Sequence, residues 1–227
     1  MDIKDKRVLV LGGWGLVGNS VIRKIIKEEP SQIVVTSLKE EEAKEACSRL
    51  KEEFPNTPDD YFIPWWGNIF VRHEFKDDDR LALLDDREKR SVLMRDIMEE
   101  LDDEILHNQS IYQLLITYKP SIVIDCINSA TGIAYQDIYS TYRTIKRTIR
   151  KEPTAENLID ETEKLICTLY VPQLIRHIQV MYNSMTEAGT KIYIKIGTSG
   201  TGGMGLNIPY THSEEKPSRV LLSKSSV

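Results

Sequence analysis

A short aliphatic run, Arg7 to Leu11, breaks off at the loop Gly12-Gly13-Trp14-Gly15-Leu16-Val17-Gly18, and an amphipathic helix opens there. Val17, Val21, Ile22, Ile25 and Ile26 recur at helical spacing. A second, β-branched run follows Pro30, from Gln32 to Thr36. Strand, loop, helix and strand are therefore complete by Thr36, which makes a βαβ unit. That unit leaves few architectures open, because parallel strands need a crossover and the crossover is right-handed.

Three further runs read as strands. Tyr61 to Trp66 is apolar and aromatic but contains Pro64, which places it at a sheet edge. Ser121 to Ile127 follows Pro120, and Thr190 to Ile196 follows Gly189. Runs without polar alternation suit parallel strands buried on both faces. Between them, Glu40 to Glu53 is a charged helix with Ala43, Ala46, Cys47 and Leu50 on one face. Lys76 to Tyr118 is polar and helical, with the acidic run Asp77-Asp78-Asp79. Leu158 to Ala188 reads as one long helix whose apolar stripe changes phase near Pro172, where a kink is expected. The alternation gives an α/β fold, a doubly wound parallel sheet with helices on both faces. One domain over residues 1–227 is expected, with helical insertions near 76–105 and 133–157.

Each glycine of the loop has a physical task in such a unit. Gly12 lets the chain turn out of the strand, Gly15 lets a pyrophosphate approach the backbone, and Gly18 lets the helix pack on the sheet. The helix start then offers N–H groups and a positive dipole end to phosphates. Gly13 and Gly18 also have the spacing of a triphosphate-binding loop, but the position of its lysine is Asn19, which removes that reading. After the second strand an acid normally receives the ribose 2′-hydroxyl of NAD. Here the chain reads Thr36-Ser37-Leu38-Lys39, with no acid before Glu40. Ser37 and Lys39 better suit a 2′-phosphate, so NADP is preferred and NAD remains the alternative; Lys39 could also simply begin the exposed face of the next helix.

Composition excludes other classes. A net charge of −5 supplies no general field for nucleic acid or anionic membrane. Arg143, Lys146, Arg147, Arg150 and Lys151 cluster, but a solvated helix face accounts for them. Cys47, Cys126 and Cys167 are far apart, without zinc or CxxC spacing, as in a reduced, cytoplasmic protein. The four histidines share no ligand-like spacing, so no metal site is expected. No apolar run reaches the ~20 residues of a membrane helix.

In order and spacing these pieces resemble the short-chain dehydrogenase/reductase superfamily, in particular its extended, epimerase/dehydratase-like branch with its Rossmann fold. Gly12, Gly15 and Gly18 have that branch's GxxGxxG form. Gly67-Asn68-Ile69 is similar to the Gly-Asp-Leu/Ile whose acid contacts the adenine, with Asn68 able to hydrogen-bond a base instead. Lys119 to Asp125 is similar to the run into the fourth strand, and Asn128-Ser129-Ala130 then borders the nicotinamide ribose. Ile196-Gly197-Thr198-Ser199-Gly200 resembles the end of strand five with the catalytic serine, Ser199. Pro209 to Pro217 resembles the Pro-x-x-Glu-x-x-Pro loop, and Ser223-Lys224 the end of the Tyr-x-x-x-Lys motif. The helix 158–188 resembles the family's dimerisation helix, which implies a homodimer.

Two departures matter. The motif tyrosine, four residues before Lys224, is replaced by Val220, which carries no proton. Tyr210 is the candidate to stand in as acid/base. The chain also ends at Val227, where the family continues into a substrate lobe, so a cut-down domain or a piece of a longer protein is expected. The resemblance implies an NAD(P)-dependent oxidoreductase acting on a carbonyl, hydroxyl or sugar-like small molecule, with Ser199, Tyr210 and Lys224 as its catalytic group. The alternative is a catalytically degenerate dinucleotide-binding module with a structural, sensing or partner-regulating role.

Overall fold

The structure is a computed structural model that describes residues 2–127, 138–150 and 154–196. The chain divides into two compact units. Among its described residues the first, Met1–Gly67, Tyr118–Thr131 and Ala188–Val227, holds five parallel strands: β1 (Arg7–Leu11), β2 (Gln32–Ser37), β3 (Phe62–Trp66), β4 (Ile122–Asp125) and β5 (Ile192–Lys195). Their order is β3-β2-β1-β4-β5. The chain moves outward from β1 to β3, then returns past β1 and moves the other way, which is the doubly wound order. Every residue of β1 from Val8 to Leu11 is fully buried, so the unalternated aliphatic run is explained by burial on both faces.

Helix α1 (Leu16–Ile25) and helix α2 (Glu40–Glu53) join these first strands. Ile22 and Ile25 of α1 and Ala46, Cys47 and Leu50 of α2 share one core with Val8, Val10, Ile33 and Val35. Removing a fully buried side chain such as Leu50 from this core costs about 2–5 kcal/mol. Strand β3 is at the sheet edge, with Pro64 opposite Val35. A residue without an N–H is tolerated there because no strand among the described residues pairs its outer side.

The second unit, Asn68–Thr117 and Gly132–Glu187, is helical among the described residues. It comprises α3 (Arg80–Asp85), α4 (Arg87–Met98), α5 (Asp103–Asn108), most of α6 (Ser110–Tyr118), α7 (Ile138–Ile149), α8 (Ala155–Cys167) and most of α9 (Tyr170–Ala188). The acids of this stretch begin its helices: Asp79 accepts from the N–H groups of Leu81 and Ala82, Asp86 from Glu88 and Lys89, and Asp102 from Ile105. Arg90 of α4 is 2% exposed and reaches α8, with Nη2 2.6 Å from Asp160 and Nε 3.0 Å from Glu163. Its third arm donates to the carbonyl of Leu84, so the buried charge is fully partnered.

The single kinked helix expected over 158–188 is instead two helices, α8 and α9, broken at Thr168 and Leu169. Pro172 does not bend a helix here. It lies in the first turn of α9, where a missing N–H leaves no helical bond unmade.

Candidate functional site

The loop after β1 lies where the strand order reverses, between β1 and β4. In open α/β sheets this is the position at which ligands bind, beyond the strands' carboxyl ends. Gly12 has φ +74°, a left-handed conformation that side chains disfavour. Its N–H donates to Thr36 Oγ1 at 3.1 Å, and the N–H of Gly13 donates to the Thr36 carbonyl at 2.7 Å. Two bonds from the end of β2 thus brace the loop. A Cβ on Gly18 would lie 2.2 Å from the Gly12 carbonyl oxygen, so α1 starts closer to the loop than any side chain permits.

Among the described residues no side chain caps α1 at Gly15, and no acid occupies its first turn. The opening N–H groups of the helix therefore face a position where an anion would satisfy them. Leu16 is 75% exposed and Val17 is exposed beside it, unusual placements for aliphatic residues at the start of a core helix. Trp14 leans the other way, part-buried against the core, with Nε1 3.3 Å from Glu45 Oε2 of α2.

At the end of β2, Ser37 Oγ donates to Glu42 Oε2 at 2.6 Å. Glu42 is the acid that residues 36–39 lack; one turn of α2 carries it back over the strand end. Lys39 precedes α2 with an exposed side chain. Asn68 Oδ1 accepts from the N–H of Phe70 at 2.9 Å, which engages its carbonyl in a local turn. Ile69 is 4% exposed, its side chain committed to packing in the second unit.

A cluster that the sequence reading did not single out sits at the end of β4. Asp125 is fully buried, and its Oδ2 accepts from Tyr193 Oη at 2.8 Å and Lys195 Nζ at 2.7 Å. Its Oδ1 accepts from the N–H of Ile127 at 2.9 Å, which shapes the chain leaving β4. Lys195 is opposite Asp125 in the strand register, and Tyr193 is two residues earlier on the same face. Burial, and then the Asp125 charge, push the Tyr193 phenol far above its ordinary range, so it stays protonated. The Cys126 thiol is pushed up to about 11, by burial first and by Asp125 second.

Asn128, Ser129, Ala130, Ser199, Tyr210 and Lys224 lie outside the described residues. Among the described residues no group of His, Cys, Asp and Glu is arranged to hold a metal ion, and no helix is long and apolar enough to cross a membrane.

No family model matches the chain, and no curated protein is similar to it in sequence. Among solved structures, the X-ray structure of Pen from Bacillus thuringiensis is 14% identical over 87% of this chain and 54% of that one, with a TM-score of 0.36. The chain thus spans about half the length of that protein. L-Sorbose reductase from Gluconobacter frateurii, solved with NADPH and L-sorbose, is 11% identical over 86% of this chain and 96% of that one, with a TM-score of 0.29. The fold assignment rests on the strand order and register, not on these likenesses.

Proposed function

We infer that the chain binds a nicotinamide dinucleotide and acts as an oxidoreductase of short-chain dehydrogenase/reductase type on a carbonyl, hydroxyl or sugar-like substrate. The observation that carries the reading is the uncapped start of α1, reached through a positive-φ glycine at the strand-order reversal. A Cβ on Gly18 would meet the Gly12 carbonyl oxygen, so only glycine lets α1 start this close against the loop, and that close approach supports a pyrophosphate site at the helix's opening N–H groups. Gly12, Gly13, Trp14, Gly15, Leu16, Val17 and Gly18 would hold that group, and Ser37 with Glu42 the adenosine ribose. Asn68 and Ile69 at the adenine, and Asn128 to Ala130 at the nicotinamide ribose, are carried by the family resemblance.

The three acids in the first turn of α2 and the Ser37–Glu42 bond favour a ribose diol over a 2′-phosphate, which supports NAD. Lys39 is the residue that supports NADP. The bound cofactor would supply hydride acceptance and donation. The chain's own part is to fix the loop through Thr36, to bury Asp125 with its two donors beneath the reversal point, and to hold the substrate oxygen through Ser199 with Tyr210 and Lys224 moving its proton. Val220, in the place of the motif tyrosine, favours the second reading, a binding module without turnover.

A homodimer belongs to the same proposal. Val171, Ile175, Ile178 and Tyr182 are exposed at i, i+4, i+7 and i+11 along α9, an apolar stripe without cover among the described residues. The deciding experiment titrates the full chain with NADH and NADPH by fluorescence and then assays hydride transfer over a panel of ketones, secondary alcohols and nucleotide sugars. Binding with turnover supports the enzyme, binding without turnover supports the module, and no binding of either cofactor overturns both.

A further inference from the structure

In the second unit, the cations of α7 have no answering acid among the described residues. This helix and the adjoining Arg150 contain no acid at all, in a chain whose net charge is −5. Arg143, Lys146, Arg147 and Arg150 are exposed, at i, i+3, i+4 and i+7. They form no hydrogen bond and no ion pair among the described residues. Every other described Lys and Arg of this unit donates to a protein oxygen. The neighbouring helix does not help: α8 packs on α7, but its Glu156, Asp160 and Glu163 are taken by Arg87 and Arg90 of α4. Side chains three and four apart face each other on a helix, so Arg143 repels Arg147 and Lys146 repels Arg150.

Solvation by water accounts for the cations, as the sequence suggests, but not for what lies beside them. Tyr142 is 55% exposed and Ile149 58% exposed. Seven residues apart, these two lie on one line along the helix, and the four cations fill an arc of about 100° next to that line. Lys146 Nζ sits 6.0 Å from the centre of the Tyr142 ring. The half-buried positions are Thr141, Ile145 and Thr148, on the other flank of the same line. The helix thus turns two threonines towards the protein and leaves an isoleucine and a tyrosine outside, bordered by positive charge.

We propose that α7 is a docking face for an anionic lipid surface, with Arg143, Lys146, Arg147 and Arg150 on the phosphate headgroups and Tyr142 and Ile149 entering the layer beneath them. Adjoining cationic and apolar arcs on one helix are what lets it lie in the plane of such an interface. Guanidinium groups bind phosphate oxygens two at a time, and three of the four cations are arginines. A nucleic-acid backbone would answer the cations and leave Ile149 without a role. A globular acidic partner buries about 800 Å² per side against a shaped surface, whereas one convex helix face suits a layer that deforms around it. Because the rest of the chain is acidic, the field of an anionic surface turns α7 towards it, and repulsion of the other acids is screened beyond about 8 Å. Attachment is peripheral and reversible, since no described helix is long and apolar enough to cross the bilayer. This inference does not rest on the cofactor reading.

The test is co-sedimentation of the full chain with vesicles of phosphatidylcholine, alone or with about one-third phosphatidylserine, at about 0.1 M salt. Each cation at an anionic surface contributes about five-fold in partition, so the mixed vesicles should be preferred by roughly 100-fold or more. The preference should collapse at about 1 M salt, where charges are screened within about 3 Å. Arg143→Gln with Arg147→Gln should weaken binding about 25-fold. Lys24→Gln with Lys27→Gln, an equal change of net charge on exposed positions of the first unit, should leave it unchanged. Ile149→Ser should weaken vesicle binding about ten-fold, because an apolar side chain no longer enters the layer. Three results overturn the proposal: no preference for anionic vesicles, equal losses in the two lysine and arginine double variants, or full binding by Ile149→Ser. Displacement from the vesicles by oligouridylate at an equal concentration of phosphate also overturns it, in favour of nucleic acid. Should the arginine variant fail to fold, Ile149→Ser and the wild-type salt series decide by the same criteria.

Discussion

Replacing Gly18 by alanine separates the cradle from ordinary glycine effects. The new Cβ would lie 2.2 Å from the Gly12 carbonyl oxygen and 2.8 Å from both Gly12 C and Gly13 Cα. Non-bonded carbons settle near 3.5 Å, so the two carbon contacts fall short by about 0.7 Å. All three obstacles are backbone, and none can rotate away. Helix α1 must therefore shift relative to the loop, a strain of about 1–3 kcal/mol, and the 2.2 Å contact puts this case near the upper end. Against it stands the gain of about 1 kcal/mol that alanine brings to a helix. The clash wins, and a net loss of roughly 1–2 kcal/mol is expected.

Gly189→Ala supplies the control. Gly189 also has a positive φ, +77°, but nothing lies within 4 Å of its would-be Cβ. Its cost is conformational alone, about 1–2 kcal/mol. Urea unfolding should therefore show similar losses for both variants, while titration with NADH and NADPH should show weakened binding for Gly18→Ala only. Unchanged stability in Gly18→Ala would refute the steric argument. Equal loss of cofactor affinity in both variants would refute the assignment of the loop as the cradle.

Three further outcomes are expected. Glu42→Gln should raise affinity for NADPH relative to NADH, and Lys39→Glu should do the reverse; equal effects on both cofactors would make the two residues plain surface. At a given pH, alkylation of Cys126 in the native protein should be about 100-fold slower than at a thiol with pKa 9, and Asp125→Asn should speed it; fast native labelling would refute its suppression by burial and charge. Ile178→Glu should convert the proposed dimer to monomer in light scattering without unfolding α9, and a monomeric wild type at high concentration would refute the dimer outright.

What the sequence revealed followed from local periodicity. Val8 to Leu11 could be read as a doubly buried strand because no polar residue interrupts it, and the expected bounds of α2 match the observed Glu40–Glu53. Pro64 marked the edge because a missing N–H is tolerated only there. The break between α8 and α9 was obscured because a phase change near a proline reads equally as a bend or as a new helix start. Glu42 follows Ser37 by five residues in the chain, and only the first turn of α2 folds it back over the strand end. Asp125, Tyr193 and Lys195 are far apart in sequence, and only the β4–β5 register makes them neighbours. Arg176, in a polar-looking stretch beside His177, gave no sign of burial, since its surroundings come from α4, α6 and the segment after β3.

The loop sequence alone does not make the candidate site. Gly12 is held from one side by the Thr36 hydroxyl, at the end of β2. On the other side its would-be Cβ meets Ile127 Cγ1 at 3.2 Å, in the chain just leaving β4. Ile127 is in turn positioned through its N–H by buried Asp125, which Lys195 and Tyr193 of β5 neutralise and cap. Four strands therefore set the position of one glycine, and they can do so only because β2 and β4 flank β1 on opposite sides. The same GxxGxxG after an edge strand, with a single neighbour, would turn just as sharply, yet would lack the second wall. That dependence explains why a glycine triplet is weak evidence by itself and becomes informative once the strand order is known. It also locates the sensitive perturbations: a change at Thr36 or Asp125 acts on the cradle as directly as a change within the loop.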